Sequence, residues 1–503
     1  MNTPTNSSRN DAGDSALFLL YCAAVLAVSL FHETWRDEAL HWLIARDLPS
    51  IGAVFRQLTY EGTPGLYHIL LYPLAKTGLP ILAASALNCL FMFAAGWLLA
   101  YKSPFSKPEK MLLLWGYFML FEYGAIARSY ALSVLLLFGC AALWDRRAGR
   151  GLFLGLLLAL LANTNIHGTI LAIAITAGLL AEAFVLKESD QSVRSGALGT
   201  AVLACAGVAA AIMTVLPYPD AACSSSSWFF GFSADRLSQS LDSVMAAFFP
   251  VPKPVPHFWN TLLLYFFTEK AVWLSLPVLA ASAFMLRRSR AALFIYLTGA
   301  FGLLAFFYVK YAGYMRHYGF VFLLFVFCLW IALREGGLCQ RPRWLSCFWY
   351  AVLSAQLLGA VVAFYYEVKH PFSNAENAAR YIDGTDPDHS AALTGYPGFI
   401  LNSVSPYLSR GRKIVFPETM QQGTFLKVNR SYEKSCVLHF GELEGRLAAI
   451  CARKCFVLLD RPLPSSRAGK FQLQVSFTGA INEEEDFYIY SYKVPYSEYQ
   501  TVP

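Results

Sequence analysis

Residues 31–72 read FHETWRDEALHWLIARDLPSIGAVFRQLTYEGTPGLYHILLY, a polar interlude between one long apolar run and the next. Within EALHWLIARDL, Leu40, Leu43 and Ile44 recur at three- to four-residue spacing, which predicts a helix with one apolar face. Flanked by membrane-length runs, such a helix is expected to lie on a bilayer surface. Asp37 and Glu38 would then be carboxylates at that surface, able to act as a base on a hydroxyl. Pro64 and Gly65, in Thr63-Pro64-Gly65-Leu66-Tyr67, break the chain and turn it back toward lipid.

Working outward, the 503 residues are 56% hydrophobic and only 15% charged, which is too apolar for a water-soluble enzyme of this length. The chain reads as a polytopic α-helical membrane protein of about 11 spans, since about 20 apolar residues cross a bilayer. The expected spans are 16–32, 80–101, 111–126, 128–144, 151–166, 168–186, 197–216, 271–286, 291–309, 318–333 and 344–365. The segment Leu66–Ala75 is too short to cross and reads as juxtamembrane or re-entrant. The polar N-terminal tail, 1–15, precedes an apolar run with no small-residue cleavage site, so the first helix is expected to be retained.

The net charge of +7 raises nucleic-acid binding, but the basic residues gather in short connections, as membrane orientation requires. Lys102/Lys107/Lys110, Arg146/Arg147/Arg150, Lys187/Arg194, Arg287/Arg288/Arg290 and Arg334/Arg341/Arg343 fall on alternate connections and are assigned to the cytoplasm. The other face then receives 33–79, the turn at Arg128, Asn163–Gly168, 217–270, Lys310–Tyr318 and everything after residue 366. The 217–270 loop combines a Ser-rich start, an amphipathic stretch from Ala234 to Phe249, the turn VPKPVP, and Phe258 and Trp259. That mix suits a lid or plain interfacial packing equally.

After Tyr366 hydropathy drops. A helix from Asn374 to Ile382, capped by Ser373, and short β-like runs (AALTG, KIVF, CFVLLD, QLQVSF, FYIYSYK) predict a small soluble α/β domain over 366–503. No phosphate-binding glycine loop and no fixed-period repeat stands out. Of the eleven cysteines, Cys436, Cys451 and Cys455 lie in this polar part, and an extracytoplasmic location would let one pair form a disulfide. Cys451-Ala-Arg-Lys-Cys455 has zinc-like spacing but no second ligand pair.

Ionisable groups beside apolar runs are costly unless they line a wet cavity. On the outer face these are Asp37 and Glu38, Arg128 in a tight turn, His167 in another, the cluster Lys310, Arg316 and His317, and more weakly Glu61 and Tyr67. Each has a plainer reading. Asp37 and Glu38 suit the first turn of any helix, Arg128 and Arg316 could snorkel to headgroups, and His167 could be a polar cap beside Asn163 and Asn165. Glu33 reads as solvated, and Glu122 could be a partner of Arg128.

At Asp37-Glu38-Ala39, Pro64-Gly65-Leu66-Tyr67 and Arg128-Ser129-Tyr130 the chain resembles the GT-C class of membrane glycosyltransferases that use polyprenyl-phosphate sugars. These include the protein O-mannosyltransferases, the aminoarabinose transferase acting on lipid A and bacterial Rgt-like sugar transferases. The likeness covers 16–365 by layout and rests on these short motifs. It implies a multi-pass enzyme of the inner (plasma) membrane, with Asp37 as catalytic base, Glu38 as support, and Arg128 with Arg316 and His317 as phosphate-binding cations. It also implies a polyprenyl-phosphate sugar donor, a lipid, glycan or protein acceptor, and in some relatives a divalent cation. Relatives often carry a cation where this chain has Thr63. Two other classes remain open: a transporter or flippase of lipid-linked sugars, and an assembly protein whose outer tail binds a partner.

Overall fold

Among the described residues, eight helices are long and apolar enough to cross a bilayer: Gly13–Phe31, Leu82–Lys102, Ser129–Arg146, Ile166–Leu186, Gln191–Val215, Arg290–Val309, Met315–Arg334 and Arg343–Lys369. This is the signature of a multi-pass membrane protein. The computed structural model describes residues 7–186, 190–217, 219, 228–266, 272–336, 342–451, 454–464 and 469–492. Lys187, Arg341 and most of the Ser-rich stretch lie outside the described residues.

The expected count of about 11 spans is not reached, for a geometric reason. Gly151–Ala162 has only 12 residues, about 18 Å of helix against about 30 Å of hydrocarbon. Val272–Leu286 is likewise short among the described residues. The 111–126 run breaks into the helix Lys107–Leu114 and a separate π-turn, Phe118–Glu122. Met315–Arg334 runs through the middle of the bundle, with every residue from Phe320 to Ala332 buried. Outer helices leave residues such as Leu30, Leu152, Val202 and Phe301 exposed, as a surrounding of acyl chains requires.

The apolar face of the helix Arg36–Asp47 is covered by protein rather than left free for lipid. Its Leu43 and Ile44 are fully buried in protein, with the helix packed between Leu66–Lys76 and the short helix Leu401–Val404 of the C-terminal domain. The amphipathic stretch of the long loop, Ala234–Phe248, is packed too, with Val244 through Phe248 buried, as are Phe258 and Trp259. Packing, rather than a lid, accounts for these described parts.

The C-terminal domain carries β1 (Ala392–Tyr396), β2 (Ile414–Phe416), β3 (Gln421–Gly423), β4 (Cys455–Leu459), β5 (Phe471–Phe477) and β6 (Phe487–Tyr492) in one sheet ordered β3-β2-β1-β4-β6-β5. β1 runs parallel to β2 and β4, and the remaining pairs are antiparallel. All five residues of β4 are buried because both faces are covered. Phe456 and Leu458 meet the helix Ala375–Thr385, whereas Val457 and Leu459 meet Phe440–Ile450. The helix starts one residue later than expected, at Ala375, with Asn374 rather than Ser373 at the cap position, and Ser373 accepts from the Ala375 N–H at 3.1 Å from just outside it. Cys451 and Cys455 are joined in a disulfide, and Cys436 is a free thiol. The polar β3, QQG, carries no alternation and went unpredicted.

This domain is seated on the 31–78 stretch at several points. Phe372 N–H donates to Glu33, the Arg36 N–H donates to Glu485 at 3.1 Å, and Thr424 donates to Asp47 at 2.5 Å. Glu33 is therefore tied down rather than solvated.

Candidate functional site

Four helices begin at the end of the bundle that meets this domain: Arg36–Asp47, Ser129–Leu143, Ile166–Ala181 and Met315–Arg334. Their first-turn N–H groups give that end a positive potential before any side chain is counted. The chain enters all four, at Trp35, Arg128, Asn165 and Tyr314, in extended conformation. Gly62, in left-handed conformation with φ of 63°, closes the helix Ile51–Glu61 with a bond to the Leu58 carbonyl, so the TPG turn can follow.

Asp37, Arg128 and Arg316, distant in sequence, meet here. Arg128 Nη1 donates to Asp37 Oδ2 at 2.6 Å, and Arg316 Nη2 reaches the same oxygen at 3.4 Å. The Asp37 side chain retains 30% exposure against 13% and 8% for the two arginines, so the carboxylate is the accessible member. Burial pushes its pKa up, but the charges of Arg128, Arg316 and Arg36 outweigh this and hold the carboxyl below the usual range. The Arg316 guanidinium lies 4.8–5.5 Å from the rings of Tyr314, Trp35 and Trp259, an aromatic surround that fixes it by cation–π attraction. Trp259 is held in turn by Glu122, which also accepts from Tyr117. Glu122 thus serves Arg316's surround and is not a partner of Arg128.

Behind Arg128 stand two histidines that sequence reasoning missed. Arg128 Nη2 donates to His41 Nε2 at 3.2 Å, which leaves the His41 proton on Nδ1 to be donated to His68 Nε2 at 2.8 Å. Burial pushes His68 down to about 3, with the charge of Arg128 adding to it. Burial also lowers His41, with His68 and Arg128 adding to it. Both rings are therefore neutral at pH 7 and orient the guanidinium without repelling it. The sign for stability follows. The pair favours folding fully above pH 6.5, and that contribution is lost as pH falls toward about 3. Thermal midpoints measured across this window should decline, and His68→Gln, which keeps an acceptor without the ring's titration, should flatten the slope.

Glu38 turns away from Asp37. It is 3% exposed, and its carboxylate accepts from the N–H groups of Trp35 and Ala127 and from His32 Nε2 at 3.0 Å. His32 also binds Glu367, at the end of the last spanning helix. Tyr67, fully buried, donates to the Ala127 carbonyl at 2.9 Å and braces the Arg128 turn instead of facing a substrate. Glu61 accepts from Gln57 at 2.9 Å, and its carboxyl is pushed up to about 7 chiefly by burial. His317 takes the Tyr314 N–H on Nδ1 and meets the Tyr130 hydroxyl at 3.1 Å through Nε2. His167 is buried and stacked between His317 and Phe320 at 4.9 and 5.2 Å, with neither ring nitrogen hydrogen-bonded. Lys310 lies over the Trp228 ring at 5.0 Å.

The donor set does not fit a resident divalent cation. Asp37 is bracketed by two guanidiniums, and among the described residues no three His, Cys, Asp or Glu side chains are grouped as ligands. What the arrangement suits is an anion, which would meet two arginines and the converging helix starts. No protein-family model matches the chain, and no curated protein matches it.

Proposed function

We propose that the protein is a membrane glycosyltransferase that takes a sugar from a polyprenyl-phosphate donor to a hydroxyl acceptor on the extracytoplasmic face. The observation that carries this reading is the accessible Asp37 carboxylate bridged to Arg128 and Arg316. The Cys451–Cys455 disulfide supports placing the C-terminal domain, and with it the site, in an oxidising compartment. The orientation follows from the alternate basic connections, and the plasma membrane from the class of donor.

In the resting site Asp37 is a weak base because two cations hold its charge. A phosphate competes for both guanidiniums, since the planar fork meets phosphate oxygens in pairs. As it draws them off, the Asp37 pKa rises toward that of an unpaired carboxylate. The acceptor oxygen then attacks the anomeric carbon, its proton passes to Asp37, and the bond from that carbon to the phosphate oxygen breaks with inversion. The charge developing on the departing phosphate falls to Arg128 and Arg316.

The test is transfer of labelled sugar from a set of polyprenyl-phosphate sugars in proteoliposomes. Arg316→Ala should lower the rate about 10²- to 10³-fold, and Arg316→Lys, which keeps charge but not the fork, should recover part of it through a raised KM. Movement of the labelled lipid across the bilayer without any transfer would replace this reading with a transporter.

A further inference from the structure

A second site lies at the opposite end of the bundle, and it does not depend on the transferase reading. The span Ser129–Arg146 starts beside Arg128 and runs 18 residues, about 27 Å, before reaching Asp145 and Arg146. There a cavity of about 650 Å³ opens among Leu82–Lys102, Ser129–Leu143 and Gly151–Ala162.

The helix Gly151–Ala162 starts at this end, and its Phe153 and Leu157 form one wall of the cavity, facing Leu98 and Leu135 of its two neighbours. Gly139 adds no side chain to fill the gap. Leu98, Leu135, Phe153 and Leu157 line the depth, and Phe153 is 50% exposed, so the groove opens on the outer surface of the bundle where acyl chains lie.

The mouth is cationic. Lys102, Arg146 and Arg334 stand there against one acid, Asp145. Asp145 pairs with Arg334 at 3.3 Å, and Arg334 also donates to the Lys102 carbonyl. Lys102 Nζ lies 5.0 Å from the Trp97 ring centroid, which holds it at the rim without neutralising it. Among the described residues, two positive charges therefore remain without an ion-pair partner above an apolar slot. A zwitterionic headgroup would bring its own cation to this mouth, whereas an anionic one would not.

We propose that this groove binds one anionic phospholipid, with an acyl chain along Leu98, Leu135 and Leu157 and the phosphate between Lys102 and Arg146. The experiment titrates the full-length protein in mild detergent with phosphatidylglycerol or with phosphatidylcholine of the same chains, and counts retained lipid by native mass spectrometry. Phosphatidylglycerol should be retained in preference. Lys102→Ala and Arg146→Ala should each lower its occupancy about fivefold, the effect of one cation near an anionic surface. Leu135→Trp, which fills the slot and keeps the charges, should lower retention of both lipids. Equal retention of the two lipids by the wild type, or undiminished phosphatidylglycerol in the Lys102→Ala/Arg146→Ala double variant, overturns the proposal.

Discussion

Asp37→Asn should lower sugar transfer about 10²- to 10⁴-fold, the range that removal of a positioned general base produces. The amide is isosteric and can still accept from Arg128 and Arg316, but it cannot take a proton. The two arginines lose their counter-charge, so the thermal midpoint should drop by a few degrees while the size-exclusion profile stays that of the wild type. A second readout separates chemistry from binding. The kcat/KM profile reports the free enzyme, in which Asp37 is held low by its cations, and kcat reports the donor complex, in which the phosphate has engaged them. The acidic limb should therefore lie at higher pH in kcat than in kcat/KM. Full transfer by Asp37→Asn would falsify the assignment.

Glu38→Ala should act on the fold. Its carboxylate receives two backbone N–H groups and His32, all buried, and truncation leaves each without its acceptor. Breaking a buried hydrogen-bonded charge pair costs about 3–5 kcal/mol, enough to lose most of the folded protein during detergent extraction. Burial costs His32 its charge, yet the paired carboxylates of Glu38 and Glu367 raise its pKa above the usual range. The imidazolium is thus the form that Glu38 holds, and removing one carboxylate leaves Glu367 as its sole counter-charge. Glu38→Gln should be intermediate, with the yield of monodisperse protein as the measure. Neighbouring carboxylates thus divide into one that stays accessible and one that faces the scaffold, because successive residues on a helix point about 100° apart.

That division marks how far the sequence could be read. Asp37, Arg128 and Arg316 were legible because charges beside apolar runs are expensive anywhere but a wet site. The His41–His68–Arg128 relay was not. Each imidazole alone looks like a polar residue on an amphipathic helix, and the bond joining them depends on how two helices cross. Trp259 read as an interfacial aromatic, whereas it encloses Arg316 together with Trp35. The expected runs do not all form single long helices, because apolar composition continues through a break such as that at Trp115 and Gly116, which hydropathy cannot register. In the C-terminal domain the strands with buried alternation were legible, and β3, whose three residues are polar, was not.

The contact from Arg36 N–H to Glu485 joins residues 449 positions apart. The carboxylate that receives the first turn of the Asp37 helix thus belongs to the C-terminal domain, so Asp37 is held in place by two parts of the chain that fold as separate layers and must dock before the turn is complete.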